Sequence, residues 1–217
     1  LVLVINSILL SQPDLGMTLL ITMIWTFQVI IVGIPPVFFV LLIFITPTVI
    51  FFSYHFYSHV YIRINDFFAG NSFQTNQATK SFYDGGLFGK GIGEGSLKNN
   101  LPDAHTDFIF SVVAEEFGLI FCLIIFILNS IIIFRPIIFT FKLNDLFNIL
   151  SISGLSILFG VQALIHISSN LSIIPTKGMT LPFLSYGGSS TISAAILIGL
   201  LIGLTRKSLD FSEINHN

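Results

Sequence analysis

"FIFSVVAEEFGLIFCLIIFILNSIIIFRP" (108–136) has the length and composition of a membrane-crossing helix, yet two adjacent glutamates interrupt its first third. The remainder is apolar on every side, which suits lipid or the interior of a helix bundle rather than a surface helix. Glu115 and Glu116 are therefore out of place, because an ionised carboxylate inside a bilayer costs at least about 2.5 kcal/mol. Each should face a polar cavity or a basic partner. Just upstream, "LPDAHTD" (101–107) adds Asp103, His105 and Asp107, so four acids and a histidine crowd one membrane boundary.

The whole chain shares the character of this stretch. Its 217 residues are 53% hydrophobic and only 9% charged, with a mean hydropathy of +0.91, whereas soluble domains carry about 25% charged residues. A net charge of −2 points neither to nucleic acid nor to an acidic tail. The single cysteine, Cys122, excludes an internal disulfide. The sequence opens at Leu1 inside an apolar stretch and shows no signal-peptide pattern, so we expect it to be the C-terminal part of a longer protein.

Five further segments follow from hydropathy and charge. No Asp, Glu, Lys or Arg occurs between Asp14 and Arg63, which is room for two spans. They are expected at 17–33 and 36–53, divided near Gly33, Pro35 and Pro36, with 1–10 as the tail of a preceding span. The run opened above should span 109–134 and stop at Arg135-Pro136. Further spans are expected at 146–170 and 187–204, the last ending at Arg206-Lys207. Nothing reads as the short alternating strands of a closed barrel. The fold class is thus an all-α polytopic transmembrane bundle of five to six spans. Two connections stand out, a long loop over 54–108 and a Pro- and Gly-rich one over 171–188. "GGLFGKGIGEG" (85–95) is dense in glycine but lacks the Lys-Ser/Thr of a phosphate-binding P-loop.

Basic residues set the orientation. Arg135, Lys142, Arg206 and Lys207 are concentrated in two short segments on one side, whereas Arg63, Lys80, Lys90, Lys98 and Lys177 are spread over the long loops. Density near span ends places the 135–146 loop and the C-terminus in the cytoplasm and both long loops outside.

The candidate chemistry lies in those loops. Asp107 begins a span, with Ser111 and Glu115 following at helical spacing. A lone Asp there would be an ordinary helix cap, but with Glu115 and Glu116 deeper in the same run it reads as the rim of a polar site. His105 suits a proton shuttle, a ligand or a polar loop residue. Asp103, His105 and Asp107 lie too close together in one loop to argue for a protein-held metal. His166, inside a span, reads as a hydrogen-bonded packing residue. "GGSS" (187–190) opens the last span with free backbone amides suited to an anion, although a plain turn into a helix would look the same. Lys177 adds a mobile positive charge nearby.

Five segments, taken together, resemble the SEDS family (shape, elongation, division and sporulation): "QPDLG" (12–16), "GGLFGKGIGEGSLK" (85–98), "LPDAHTDFIF" (101–110), "AEEFG" (114–118) and "PTKGMTLPFLSYGGSS" (175–190). They occur in the family's order and approximate spacing across nearly the whole chain. Family members have ten spans, so the chain is similar to their second half. Ala104 and Ala114 are closer to the cell-division members than to the rod-elongation ones, and Asp103 with the short Lys98-to-Leu101 spacing resembles alphaproteobacterial forms. Ser168 and Ser172 stand where many relatives have Gly, His166 where they commonly have Asn, and Asp84 where a small residue is usual.

The resemblance implies a peptidoglycan glycosyltransferase of the bacterial inner membrane at the division site, polymerising lipid II with a class B penicillin-binding protein and other division proteins. It makes Asp107 the essential acid. Lys177, Lys98, Arg63, Gly187, Gly188 and Ser189 are then candidates for the lipid pyrophosphate, with Mg²⁺ a candidate bridge between phosphates, while Asp103, His105, Glu115 and Glu116 shape the cavity. A lipid II flippase and a non-catalytic division scaffold are the alternatives.

The orientation is directly testable. In a Cys122→Ser background, Ser96→Cys should react with an impermeant thiol reagent on intact spheroplasts and Asn144→Cys should be protected. The reverse pattern would overturn the topology.

Overall fold

The computed structural model describes residues 2–12, 14–33, 48, 51–52, 54–69, 73–96, 98, 101, 103–175 and 178–214. These form seven helices and, among the described residues, no strand: α1 (Val2–Ser11), α2 (Leu15–Val32), α3 (Ser58–Phe68), α4 (Phe73–Gly85), α5 (Ile109–Thr140), α6 (Leu146–Asn170) and α7 (Gly188–Ile214). The all-α reading therefore holds. Among the described residues, three helices are long and apolar enough to cross a membrane: Ile109–Thr140, Leu146–Asn170 and Gly188–Arg206. The expected span at 17–33 is the shorter apolar helix Gly16–Val32, and nearly all of the one at 36–53 lies outside the described residues.

Local chemistry explains the helix ends. Asp14 caps α2 by accepting from the Met17 amide at 3.0 Å, and Gly33 closes it with φ 82°. Asp145 caps α6 by accepting from the Phe147 amide at 3.2 Å. The apolar run of 108–136 does not stop at Arg135-Pro136 as expected, since α5 continues through Pro136 to Thr140. One proline removes a single helical donor, which a long membrane helix packed on neighbours tolerates.

The stretch expected as a loop at 54–108 contains α3 and α4. The second of these buries Thr75, Ala78, Ser81 and Gly85, a helical stripe made of small and hydroxyl side chains. Such a stripe has little hydropathy, yet it lets the backbone lie close to its neighbour. Two apolar clusters form beneath it. One joins Phe110, Val113 and Ala114 of α5 to Ala163 and Ile167 of α6 and to Leu181. The other joins Ala78 of α4 to Leu101, Ala104, Phe108 and Val112. Both lie at the end of the bundle that carries the acidic segment. Towards the other end, Leu128, Phe134, Ile138 and Ile196 are exposed, as side chains facing lipid would be.

The decisive feature of α5 is a backbone break at Gly118, with φ 82° and ψ 179°. This conformation is essentially confined to glycine. A regular helix would pair the Leu119 and Ile120 amides with the Glu115 and Glu116 carbonyls. Here Leu119 donates instead to the Gly86 carbonyl at 3.0 Å and Ile120 to Leu87 at 3.3 Å. The two released carbonyls are taken by the Lys90 amide at 2.9 Å and the Gly91 amide at 3.0 Å. All four groups are satisfied by one glycine-rich segment. Beyond the break, α5 runs to Thr140, about 33 Å at 1.5 Å per residue and enough to cross a bilayer alone.

The approach is too tight for any side chain. A Cβ on Gly118 would lie 2.4 Å from the Leu87 carbonyl oxygen, and one on Gly89 would lie 2.2 Å from that of Glu116. Gly118→Ala should therefore destabilise the detergent-solubilised protein by at least about 1–3 kcal/mol from backbone strain alone, seen as a lower melting temperature. Gly199→Ala, on α7 with open space around it, is the control and should be neutral or slightly stabilising. Equal melting temperatures for the two variants would refute this account of the break.

Candidate functional site

The segment before α5 is wound into a tight turn. Asp103 takes a left-handed φ of 56°, and its carbonyl accepts from the Thr106 amide at 3.1 Å and the Asp107 amide at 3.0 Å. Phe108 occupies the position preceding the helix and offers no side-chain cap. A side-chain acceptor comes instead from α6: Asn170 Oδ1 accepts from the Ser111 amide at 3.1 Å, which it shares with the Phe108 carbonyl, and from Ser111 Oγ at 2.8 Å. Asn170 Nδ2 donates to the Asp107 carbonyl at 2.9 Å and to the His166 carbonyl at 2.9 Å. Asn170 is fully buried, and all its hydrogen-bonding capacity is used. The backbone of Asp107 is thus held from α6.

The 178–187 loop closes over the same turn. Ser185 Oγ donates to the Thr106 carbonyl at 2.7 Å and accepts from the Leu181 amide at 2.8 Å. The Tyr186 amide donates to the His105 carbonyl at 2.9 Å. Gly178, with φ 64°, lies so close that a Cβ there would stand 3.5 Å from Asp107 Oδ2. Gly187 precedes α7, and a Cβ there would meet Ser190 Oγ at 2.6 Å. The Asp107 carboxylate consequently lies where the start of α5, the end of α6 and the loop into α7 meet.

Glu115 and Glu116 are one shell away, against the glycine-rich segment. Glu115 is fully buried and Oε1 accepts from Lys90 Nζ at 3.1 Å and from the Ser96 amide at 3.0 Å. Lys90 also reaches Asp84 Oδ2 at 3.1 Å. Glu115 first, and then Asp84, raise the Lys90 pKa above its ordinary value. Glu116 is ion-paired with Lys98. Gly95 makes room for both acids, since a Cβ would lie 2.9 Å from Glu115 Oε2. The two glutamates that looked too costly for a membrane each have a lysine. They sit before the break, outside the part of α5 that spans a bilayer's thickness.

The remaining sequence candidates fall into three groups. Asp103 and His105 are exposed on the same turn as Asp107, while Gly187 precedes α7 and Gly188 and Ser189 begin it. Lys98 has its ammonium engaged by Glu116. Lys177 lies outside the described residues, as does the side chain of Arg63 on α3. Among the described residues no group of three His, Cys, Asp or Glu side chains is arranged to hold a metal. Asn170 and Ser185 are the positioning residues the sequence reading passed over. The one available signal was a lone Asn closing the apolar run of 146–170.

Comparison with known proteins agrees with this architecture. A family model described as cell cycle protein, covering FtsW, RodA and SpoVE, matches residues 1–209. A protein of Caulobacter vibrioides named "Probable peptidoglycan glycosyltransferase FtsW" is 42% identical over 93% of this chain and 52% of its own length. One of the same name from Hydrogenovibrio crunogenus is 36% identical over 92% and 54%. The chain thus spans about half the length of these relatives. Among solved structures, a chain described under "Structural coordination of polymerization and crosslinking by a peptidoglycan synthase complex" aligns at a TM-score of 0.76 and 25% identity, over 95% of this chain and 60% of its own. A mutant of the rod-shape-determining protein RodA of Thermus thermophilus aligns at a TM-score of 0.62 and 26% identity, over 95% and 55%. With three apolar helices and a match along almost its whole length, the chain is a multi-pass membrane protein and belongs to the FtsW/RodA/SpoVE family of cell cycle proteins, the SEDS proteins.

Proposed function

We propose that the protein polymerises lipid II into peptidoglycan glycan strands, with Asp107 as general base. The observation that carries this reading is the placement of the Asp107 carboxylate. It stands at a helix start whose backbone is fixed by Asn170, close to the Gly178 backbone, where a Cβ would lie 3.5 Å from Oδ2. In the reaction, a sugar hydroxyl of one saccharide attacks the anomeric carbon of another. The new bond forms from that oxygen to the carbon, the bond from the carbon to the lipid pyrophosphate breaks, and the hydroxyl proton passes to Asp107. The names of the relatives support the same activity.

The departing pyrophosphate needs positive charge and amide donors. The start of α7 at Gly188 and the segment carrying Lys177 are the parts of the chain suited to it. If a divalent cation such as Mg²⁺ accompanies the substrate, it would supply further positive charge to the pyrophosphate. The solved neighbour described as a peptidoglycan synthase complex supports a class B penicillin-binding protein as partner. We place the protein in the inner membrane at the division site, with the 54–108 segment outside.

Purified full-length protein with its partner, given lipid II and no transmembrane gradient, should form glycan polymer. Lipid movement without polymer would favour a flippase, and neither would favour a scaffold. Asp107→Asn keeps the shape but cannot take the proton, so the rate should fall about 10²–10⁴-fold with insertion unchanged. Retention of more than half the wild-type rate would remove Asp107 as base.

Lys177 has its own test. One charge-assisted contact is worth about 1.5–3 kcal/mol, so Lys177→Ala should weaken lipid II binding roughly tenfold or more while a soluble sugar acceptor binds as before. Unchanged lipid II affinity in the same detergent and salt would make Lys177 a loop residue.

A further inference from the structure

Three polar side chains stand four residues apart on α6: Gln162, His166 and Asn170. That spacing puts them on one face of the helix, each about 6 Å along the axis from the last. Each grips a backbone carbonyl of a segment that meets at the Asp107 carboxylate. Gln162 Nε2 donates to the Thr180 carbonyl at 3.1 Å. His166 Nδ1 lies 2.6 Å from the Met179 carbonyl. Because a carbonyl only accepts, that nitrogen carries the proton. Asn170 Nδ2 donates to the carbonyl of Asp107 itself and also to that of His166, the rung before it.

The rungs are not ordinary packing. His166 and Asn170 are completely buried. Among the described residues the second ring nitrogen of His166, Nε2, has no hydrogen-bond partner. A leucine of similar volume would fill the same space and remove the unpaired Nε2, but it would take away the donor that the Met179 carbonyl has here. The imidazole is accounted for by its one short bond to Met179, the residue next to Gly178. Gly178 is in turn the backbone whose Cβ position stands 3.5 Å from Asp107 Oδ2.

We propose that Gln162, His166 and Asn170 form a ladder of positioning residues, with α6 serving as a rigid ruler between the Asp107 turn and the Gly178–Thr180 backbone. The first two rungs hold the loop and the last holds Asp107. The separation between the carboxylate and the Gly178–Thr180 backbone is therefore set by one helix, together with the direct bonds from Ser185 and Tyr186 to the Asp107 turn. A loose loop leaves Asp107 intact but widens the range of gaps sampled, so turnover falls while binding of substrate to the rest of the site is retained. This inference rests on the proposed role of Asp107, but the geometry of the ladder can be read without catalysis.

The test uses the full-length protein in detergent with its partner and lipid II. His166→Leu removes the donor at nearly constant volume. His166→Asn keeps a donor on a shorter side chain. Gln162→Met removes the other loop-holding rung and serves if His166→Leu fails to fold. His166→Leu and Gln162→Met should each lower kcat about tenfold or more with KM within twofold. Hydrogen exchange should rise at the amides of 178–181 and stay unchanged in the middle of α6, and His166→Asn should recover at least half of the lost rate.

Wild-type turnover and exchange in both donor-deleting variants would overturn the ladder. So would equal damage by His166→Leu and His166→Asn accompanied by exchange rising throughout α6, which is loss of packing. Asp107→Asn run in parallel separates the two readings. If it stays active the base assignment fails, while the exchange at 178–181 still decides whether the ladder holds the loop.

Discussion

Two amides and two carbonyls of α5 lose their helical partners where Gly118 turns the backbone out of the helix. Inside a membrane protein such groups cannot be left to lipid, since each would cost several kcal/mol unsatisfied. The 86–91 segment answers all four, and this fixes its path against α5. The glycines at 89 and 118 are consequences of that pairing, because any Cβ there would strike backbone. The ion pairs are consequences as well. Once Lys90 has donated its amide to the Glu115 carbonyl, its side chain is beside the Glu115 carboxylate. The chain returns at Ser96 to add an amide to the same oxygen. Exposure on the lysine side screens this pair, so its role is to fix geometry more than to add stability. The acids of "AEEFG" thus hold the glycine-rich segment to α5, and Asp107 lies on the far side of the same short helical piece.

That division of labour separates two kinds of carboxylate. Glu115 is saturated by a lysine and backbone, which suits a structural anchor. Asp107 has its backbone clamped from α6 and its Oδ2 beside the Gly178 backbone, which suits a group that must meet a substrate in a fixed geometry. The short piece from Ile109 to Phe117 joins them. Its buried Phe110, Val113 and Ala114 pack on Ala163, Ile167 and Leu181, so it is held by apolar contact as well as by hydrogen bonds at both ends.

The sequence was most legible where hydropathy decides the outcome. The span expected at 146–170 is α6, and the all-α class follows from apolar runs alone. It was least legible where backbone chemistry decides. α4 went unseen because its buried stripe is Thr75, Ala78, Ser81 and Gly85, which packs by close approach and carries no apolar signal. The break at Gly118 could not be separated from any other glycine in a membrane run, since its partners lie some thirty residues earlier in the chain. For the same reason the need of Glu115 and Glu116 for a basic partner could be read, while the partner itself was hidden in a segment that looked like a loop. Asn170 was passed over because one amide at the end of an apolar run gives no indication that it carries four hydrogen bonds.

Three positions near these junctions, Ser172, Asp84 and His166, show how such chemistry is compensated locally. Ser172 adopts φ 57°, a left-handed conformation that costs a residue with a Cβ about 1–2 kcal/mol relative to glycine. Its hydroxyl lies 2.8 Å from Thr79 Oγ1 on α4, a bond glycine could not make. Asp84 meets Lys90 at 3.1 Å and gives that ammonium a second acid. His166 takes the Met179 carbonyl. At Ser172, Asp84 and His166 a polar group stands at a crowded junction, and each of these three is matched by a partner on a different segment. The polar groups around Asp107 therefore behave as a connected set in which one residue can change provided its bond is remade. A substitution at one rung should be judged by whether the carbonyl it held still has a donor, and not by the size of the side chain removed.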